Sequence, residues 1–150
     1  DGAPIHTPAN SRKDVNTHPD PAAQTTPQDI ALLLRMVYDC RDGGGALLAA
    51  WPGEFGPEEC ARLVEMLEGA TPGELLAAGA GPDAHVAQEF GWDGHALGSA
   101  GLILDPGGDY ALAVFLWRGQ WLDWTDGATL VADLSRGVYN YFHPQAQIEE

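Results

Sequence analysis

The side chains that could do chemistry in this sequence are few and scattered. Five histidines, His6, His18, His85, His95 and His143, show no H-x-x-x-H or Cys/His ligand spacing. A metal site needs three or four ligands with supporting hydrogen bonds around them, so these read as polar surface histidines and no metal is expected. His85 and His95 flank one predicted strand and its turn, which would bring together only two ligands. The carboxylates Asp93, Asp105, Asp109, Asp123 and Asp126 all fall in turns or at a helix start. A short carboxylate there bonds nearby backbone N–H groups, and that local role accounts for each of them without catalysis. The run Asp105-Pro-Gly-Gly-Asp109 lacks the dense alternating ligands of a calcium loop. None of Ser11, Ser99 and Ser135 sits in G-x-S-x-G or is followed three residues later by lysine, so no catalytic residue is assigned. Ser99, within Gly98-Ser99-Ala100-Gly101, is expected mid-strand, among small residues that allow close helix packing. Trp92, Trp117, Trp121 and Trp124 bracket predicted strand ends, where they serve either as cover for the core or as the wall of a cleft.

These residues are positioned by the stretch His85–Trp117, which reads as three strands, Val86–Trp92, Ala96–Leu104 and Tyr110–Trp117. Asp93-Gly94 is a hairpin signal, and Asp105–Asp109 combines Pro at a fixed φ with Gly where φ must turn positive. The third strand, YALAVFLW, has no polar alternate position and needs cover on both faces. Thr26-Pro27-Gln28-Asp29 opens a helix by capping box, with Ile30, Leu33, Leu34 and Val37 on its inner face and an end near Cys40. Residues 46–54 read as an apolar loop. A second helix starts at Pro57 with Cys60, Leu63, Val64 and Leu67 inward. Thr71–Glu74 repeats the capping pattern and opens a short helix ending near Gly79. The last helix, Thr125–Phe142, carries Leu130, Val131, Leu134, Val138, Tyr141 and Phe142 as its apolar stripe, and Pro144 blocks continuation. Residues 1–24, with four prolines, read as an extended arm, 25–144 as the folded domain and 145–150 as a polar tail. The fold class is α+β: a three-stranded antiparallel meander packed by helices.

Composition narrows the partners. Twenty-two acids against seven bases give a net charge of −15, which repels nucleic acid and anionic membrane surfaces. No apolar run is long enough to span a membrane. The start, Asp1-Gly2-Ala3-Pro4, has no leader pattern and reads as the middle of something longer. Cys40 and Cys60 border two predicted helices. Their spacing fits a disulfide, worth about 3 kcal/mol by loop closure, and equally fits two buried thiols.

The order and spacing of several short motifs resemble a known family. They are Thr7-Pro8-Ala9-Asn10-Ser11-Arg12, Thr25–Asp29 with its helix, Gly43-Gly44-Gly45, Pro57-Glu58-Glu59-Cys60, Pro106–Tyr110 and Tyr139-Asn140-Tyr141-Phe142. Together, over Thr7–Pro144, they are similar to the C-terminal portion of class A β-lactamase-like, penicillin-recognising serine hydrolases, in extracytoplasmic Chloroflexi-type forms. The resemblance implies a Cys40–Cys60 disulfide, an extracytoplasmic or secreted bacterial setting, and no cofactor. It makes 1–24 omega-loop-like. It also implies a cleft lined by Gln88, Glu89, Phe90, Gly91 and Trp92.

The departures from the family are as informative as the match. Ser-x-x-Lys and Ser-Asp-Asn are absent, and Thr7–Asn10 offers no carboxylate where the omega-loop glutamate would stand. The Lys-Thr-Gly element falls on Glu89-Phe90-Gly91. An acid facing a substrate carboxylate at about 4 Å and an effective dielectric near 20 turns attraction into roughly 4 kcal/mol of repulsion, before solvent softens it. The expectation is a catalytically incomplete domain or pseudoenzyme. Two other readings stay open. One is a binding module that takes a cell-wall peptide or sugar at the Trp-flanked sheet end. The other is an interaction half-domain whose Tyr110–Trp117 edge is completed by an N-terminal fragment or a second chain.

Overall fold

The meander forms as expected. In the computed structural model, which describes residues 25–70 and 74–149, β1 (His85–Trp92), β2 (Ala96–Leu104) and β3 (Tyr110–Trp117) make an antiparallel sheet of order β1-β2-β3. Gly94 takes φ +86 and Gly108 φ +139 in the two turns, backbone that side chains with a Cβ rarely adopt. The register sets Ala87 opposite Leu102 and Gln88 opposite Gly101. A Cβ on Gly101 would stand 2.7 Å from Ala87 O, so the glycine there serves the approach of the neighbouring strand rather than of a helix. The residues 1–24, expected as an arm, and 71–73 of the second capping box lie outside the described residues.

Helices cover both faces of the sheet. On one side α1 (Pro27–Arg41) and α3 (Pro57–Ala70) bury Val37, Cys40, Cys60 and Val64 against Ala87 and Leu102. The α1 start follows from its sequence. Asp29 N donates to Thr26 Oγ1 at 3.1 Å, and Thr26 N donates to Asp29 Oδ2 at 3.2 Å. Leu33 and Leu63, expected inward, are exposed, because the buried stripe runs through Val37–Cys40 and Cys60–Val64 instead. Cys40 and Cys60 form a disulfide with Cα atoms 5.9 Å apart, pinning the end of α1 to the start of α3. Between them, residues 46–54 are not all loop. Gly45–Ala50 forms α2, a run of good helix formers whose Leu47 and Leu48 reach the core. Six residues are too few to show a helical period.

On the opposite face, α4 (Trp124–Phe142) and a 3₁₀ turn, Ala77–Gly79, bury Leu75, Leu76, Leu97, Leu122 and Val131. Asp123 caps α4 by accepting Thr125 N at 2.9 Å. The buried side of α4 is not the bulky stripe. Of the expected residues Val131 is buried and Val138 half-buried, the rest of the buried side is Gly127, Ala132, Ser135 and Tyr139, and Leu130, Leu134, Tyr141 and Phe142 face outward. Small residues win because the helix lies directly on the 3₁₀ turn: a Cβ on Gly79 would meet Ala132 O, Arg136 N and Ser135 Cβ, all within 2.8 Å. The C-terminal segment folds back on the helix, with Asn140 exchanging two hydrogen bonds with the Ile148 backbone, at 2.8 and 3.0 Å.

Candidate functional site

The end of β1 holds the five residues expected to line a cleft. Strand alternation divides them between the two faces. Gln88, Phe90 and Trp92 lie on the α4 side; Glu89 and Gly91 lie on the α1/α3 side. Gln88 is a correction to the expected cleft, because it is 0% exposed. Its amide is engaged on both ends, Nε2 donating to Glu74 O at 2.8 Å and Oε1 accepting Leu76 N at 3.0 Å. Those two bonds bracket Leu75, the one non-glycine residue in the left-handed region among the described residues, at φ 55. A buried leucine with that backbone is strained and persists only where its surroundings fix it. Gln88 and Ser135, whose hydroxyl donates to Leu76 O at 2.8 Å, supply that fixing. No sequence signal marks Leu75; the sole hint is a polar residue in an apolar strand.

Glu89 is exposed, and its carboxylate folds back to accept the N–H of Phe90 at 3.0 Å. Gly91 has open space around its Cα. Phe90 packs on Trp124 with ring centroids 5.3 Å apart. Trp92 stands edge-to-face against Trp121 at 5.6 Å and Trp124 at 6.0 Å, and its Nε1 donates to Leu122 O at 3.2 Å. Trp117 belongs to the other face, in register with Ala96. The tryptophans thus serve partly as cover, with one edge of the cluster in solvent.

The remaining candidates hold the roles expected of turn carboxylates, with one exception. Asp93 Oδ1 accepts His95 N and Ala96 N, each at 2.9 Å. Asp109 accepts Asp105 N at 3.0 Å and the Tyr38 hydroxyl at 2.7 Å. Asp105 does more than hold its turn. It accepts Gly107 N at 2.8 Å and lies 2.9 Å from His143 Nε2, both side chains nearly buried. His143 is therefore not a surface histidine. Its ring stacks on Tyr139 at 4.2 Å, and Nδ1 lies 3.0 Å from Tyr139 O. Burial pushes the Tyr139 phenol up, with Asp105 adding to it, and burial pushes Tyr110 up to about 12. Ser99 is buried mid-strand, and its hydroxyl has no hydrogen-bond partner among the described residues. His85 is exposed, and His95 Nδ1 lies 3.2 Å from Gln120 O. His6, His18 and Ser11 lie outside the described residues.

With this geometry in place, the comparisons are specific. A sequence model described as the Beta-lactamase enzyme family matches residues 5–142, so the chain belongs to that family. Among solved structures, PBP-A is similar at 27% identity and a TM-score of 0.62, over 80% of this chain and 40% of that one. A point variant of PBP-A, captured as an acyl-enzyme with penicillin G, matches at 27% identity and 0.63, over 87% and 46%. A class A β-lactamase from Bacteroides cellulosilyticus matches at 24% identity and 0.60, over 81% and 42%. No match is found among curated protein sequences. The chain spans less than half the length of these solved relatives and matches their C-terminal part. No described helix is long and apolar enough to cross a membrane.

Proposed function

We propose that this chain is the C-terminal part of a β-lactamase-like serine hydrolase fold whose acyl-transfer chemistry is silenced: a secreted pseudoenzyme. The observation that carries this reading is Glu89. By resemblance it occupies the position of the lysine that helps hold a substrate carboxylate. It is exposed in the second half of β1, with its own carboxylate closed onto Phe90 N. That arrangement sets negative charge where penicillin-like ligands bring theirs, on a chain already at −15. Phe90 also replaces a hydroxyl that could bond the ligand. The Cys40–Cys60 bond supports an extracytoplasmic setting. The test is nitrocefin turnover and covalent labelling by a fluorescent penicillin, using the native protein from its source. The expectation is neither turnover nor labelling above buffer; either one sinks the reading.

A second reading is favoured by β3 and α4. Among the described residues β3 is a sheet edge with no Pro or charge, and it lies on the side of the sheet order opposite β1. The outward stripe of α4, Leu130, Leu134 and Tyr141, is apolar and exposed. Such edges pair unless blocked. We expect an N-terminal fragment or a second chain to complete the sheet there. Melting temperatures that rise with chain concentration support this; a stable monomer in sedimentation, with a concentration-independent melt, rules it out.

A further inference from the structure

The loop 118–123 and the turn 93–95 are tied together far more tightly than a surface loop requires. Arg118 N donates to His95 O at 2.9 Å, and Leu122 N donates to Gly94 O at 2.7 Å. His95 Nδ1 meets Gln120 O at 3.2 Å, and Trp92 Nε1 reaches Leu122 O at 3.2 Å. Gly94 is shaped for this contact: any Cβ there would lie 2.5 Å from the Trp121 ring, which rests across the glycine backbone. Leu122 is buried by the arrangement, yet Trp121 remains 61% and Trp92 40% exposed. Burying an indole is among the larger gains open to a folding chain. Here two are held in fixed edge-to-face orientation, with Trp121 mostly in solvent and one edge of Trp92 beside it. That is the state of a binding surface whose ordering cost has been met in advance.

We propose that Trp92 and Trp121 form a stacking platform for a neutral glycan chain. Gln120 and Asp123, near Trp121 in the chain, and Asp126 in the first turn of α4 are exposed and carry acceptors, suited to the hydroxyl donors of a sugar whose C–H face lies on an indole. The chain's charge of −15 excludes polyanions from the same surface. The proposal rests on the two rings and not on the hydrolase reading: nitrocefin turnover tests that reading, and glycan binding tests the platform.

The probes are cellohexaose and chitohexaose, titrated into the full chain while the tryptophan emission and the indole N–H resonances are followed. Saturable shifts at the Trp92 and Trp121 indoles are expected with at least one probe, and none with a sulfated glycan. Trp121→Ala should weaken binding about tenfold, the scale of one lost stacking contact. Trp51→Ala, an exposed tryptophan in the α2–α3 loop, should leave it unchanged. In the unmodified chain, the bound glycan should shield Trp121 but not Trp51 from N-bromosuccinimide oxidation, read by peptide mass. This readout requires no variant to fold. Absence of any shift with both probes, equal losses in the two variants, or shielding of Trp51 alone overturns the proposal.

Discussion

The two turns of the meander solve the same problem with different materials. At the β1–β2 end, backbone hydrogen bonds between the turn 93–95 and the loop 118–122 hold the chain, and aromatic side chains are left over at the surface. At the β2–β3 end, side chains do the holding: Asp105, Asp109, His143, Tyr139 and Tyr38 link the turn to the C-termini of α4 and α1. That second network continues through α1 into the Cys40–Cys60 bond. Side-chain hydrogen bonding is therefore concentrated at one end of the sheet, and the side chains available to a ligand at the other. A fold that carries a site at one edge gains from anchoring the opposite edge this way.

The sharpest way to break that contrast is at the anchored end. Asp105→Ala removes a nearly buried carboxylate, leaves the Gly107 N–H without its acceptor and takes away the group 2.9 Å from His143 Nε2. Leaving nearly buried polar groups without their partner costs about 3 kcal/mol. Urea titration should show a loss of unfolding free energy of that size. The same measurement on Trp121→Ala should show under about 1 kcal/mol, the range of surface changes. Equal losses would mean that the aromatic end is structural too. Next in size is the disulfide. The Cys40→Ala/Cys60→Ala double variant should lose about 3 kcal/mol or somewhat less, since the closed segment already holds α2 and is not a free loop. A loss well under about 1 kcal/mol would detach the disulfide from the anchored end.

The contrast also explains what could be read from the sequence. All three strands and both turns were legible, because Asp-Gly and Asp-Pro-Gly-Gly-Asp are local signals with local causes. The cap at Thr26 was legible for the same reason. The buried face of α4 was legible only in part, at Val131. Its stripe of Leu130, Leu134 and Tyr141 follows helical period, yet a backbone contact with Gly79, distant in sequence, selects the small residues instead. The site was half legible. Period 2 along β1 should have separated Gln88 from Glu89, and a polar residue amid Val86, Ala87 and Phe90 was a sign of a buried hydrogen-bonding role. The pairing of Asp105 with His143, and the left-handed Leu75 held by Gln88, arise from contacts that no local pattern encodes.

The smallest expected effect sits within the anchored end and sharpens its definition. The Tyr110 hydroxyl is buried with no hydrogen-bond partner among the described residues. Removing an unsatisfied hydroxyl costs little, so Tyr110→Phe should leave stability at neutral pH unchanged or slightly raised. Its effect belongs at alkaline pH. Burial, with Asp105 and Tyr139 adding to it, pushes the phenol up to about 12, above the value of about 10 it takes in the unfolded chain. The folded state then keeps a proton that the unfolded state gives up. The associated stability is whole below about pH 10 and is lost as pH rises through about 12. Tyr110→Phe should make that alkaline decline shallower without abolishing it. Tyr139, raised by burial, and Tyr38, raised by its hydrogen bond to Asp109, titrate in the same direction. Urea midpoints at neutral pH and near pH 11 decide the matter. A variant that is weaker at neutral pH, with an unchanged alkaline slope, would place the Tyr110 hydroxyl among the groups that hold the turn, and the anchored end would then include β3 itself.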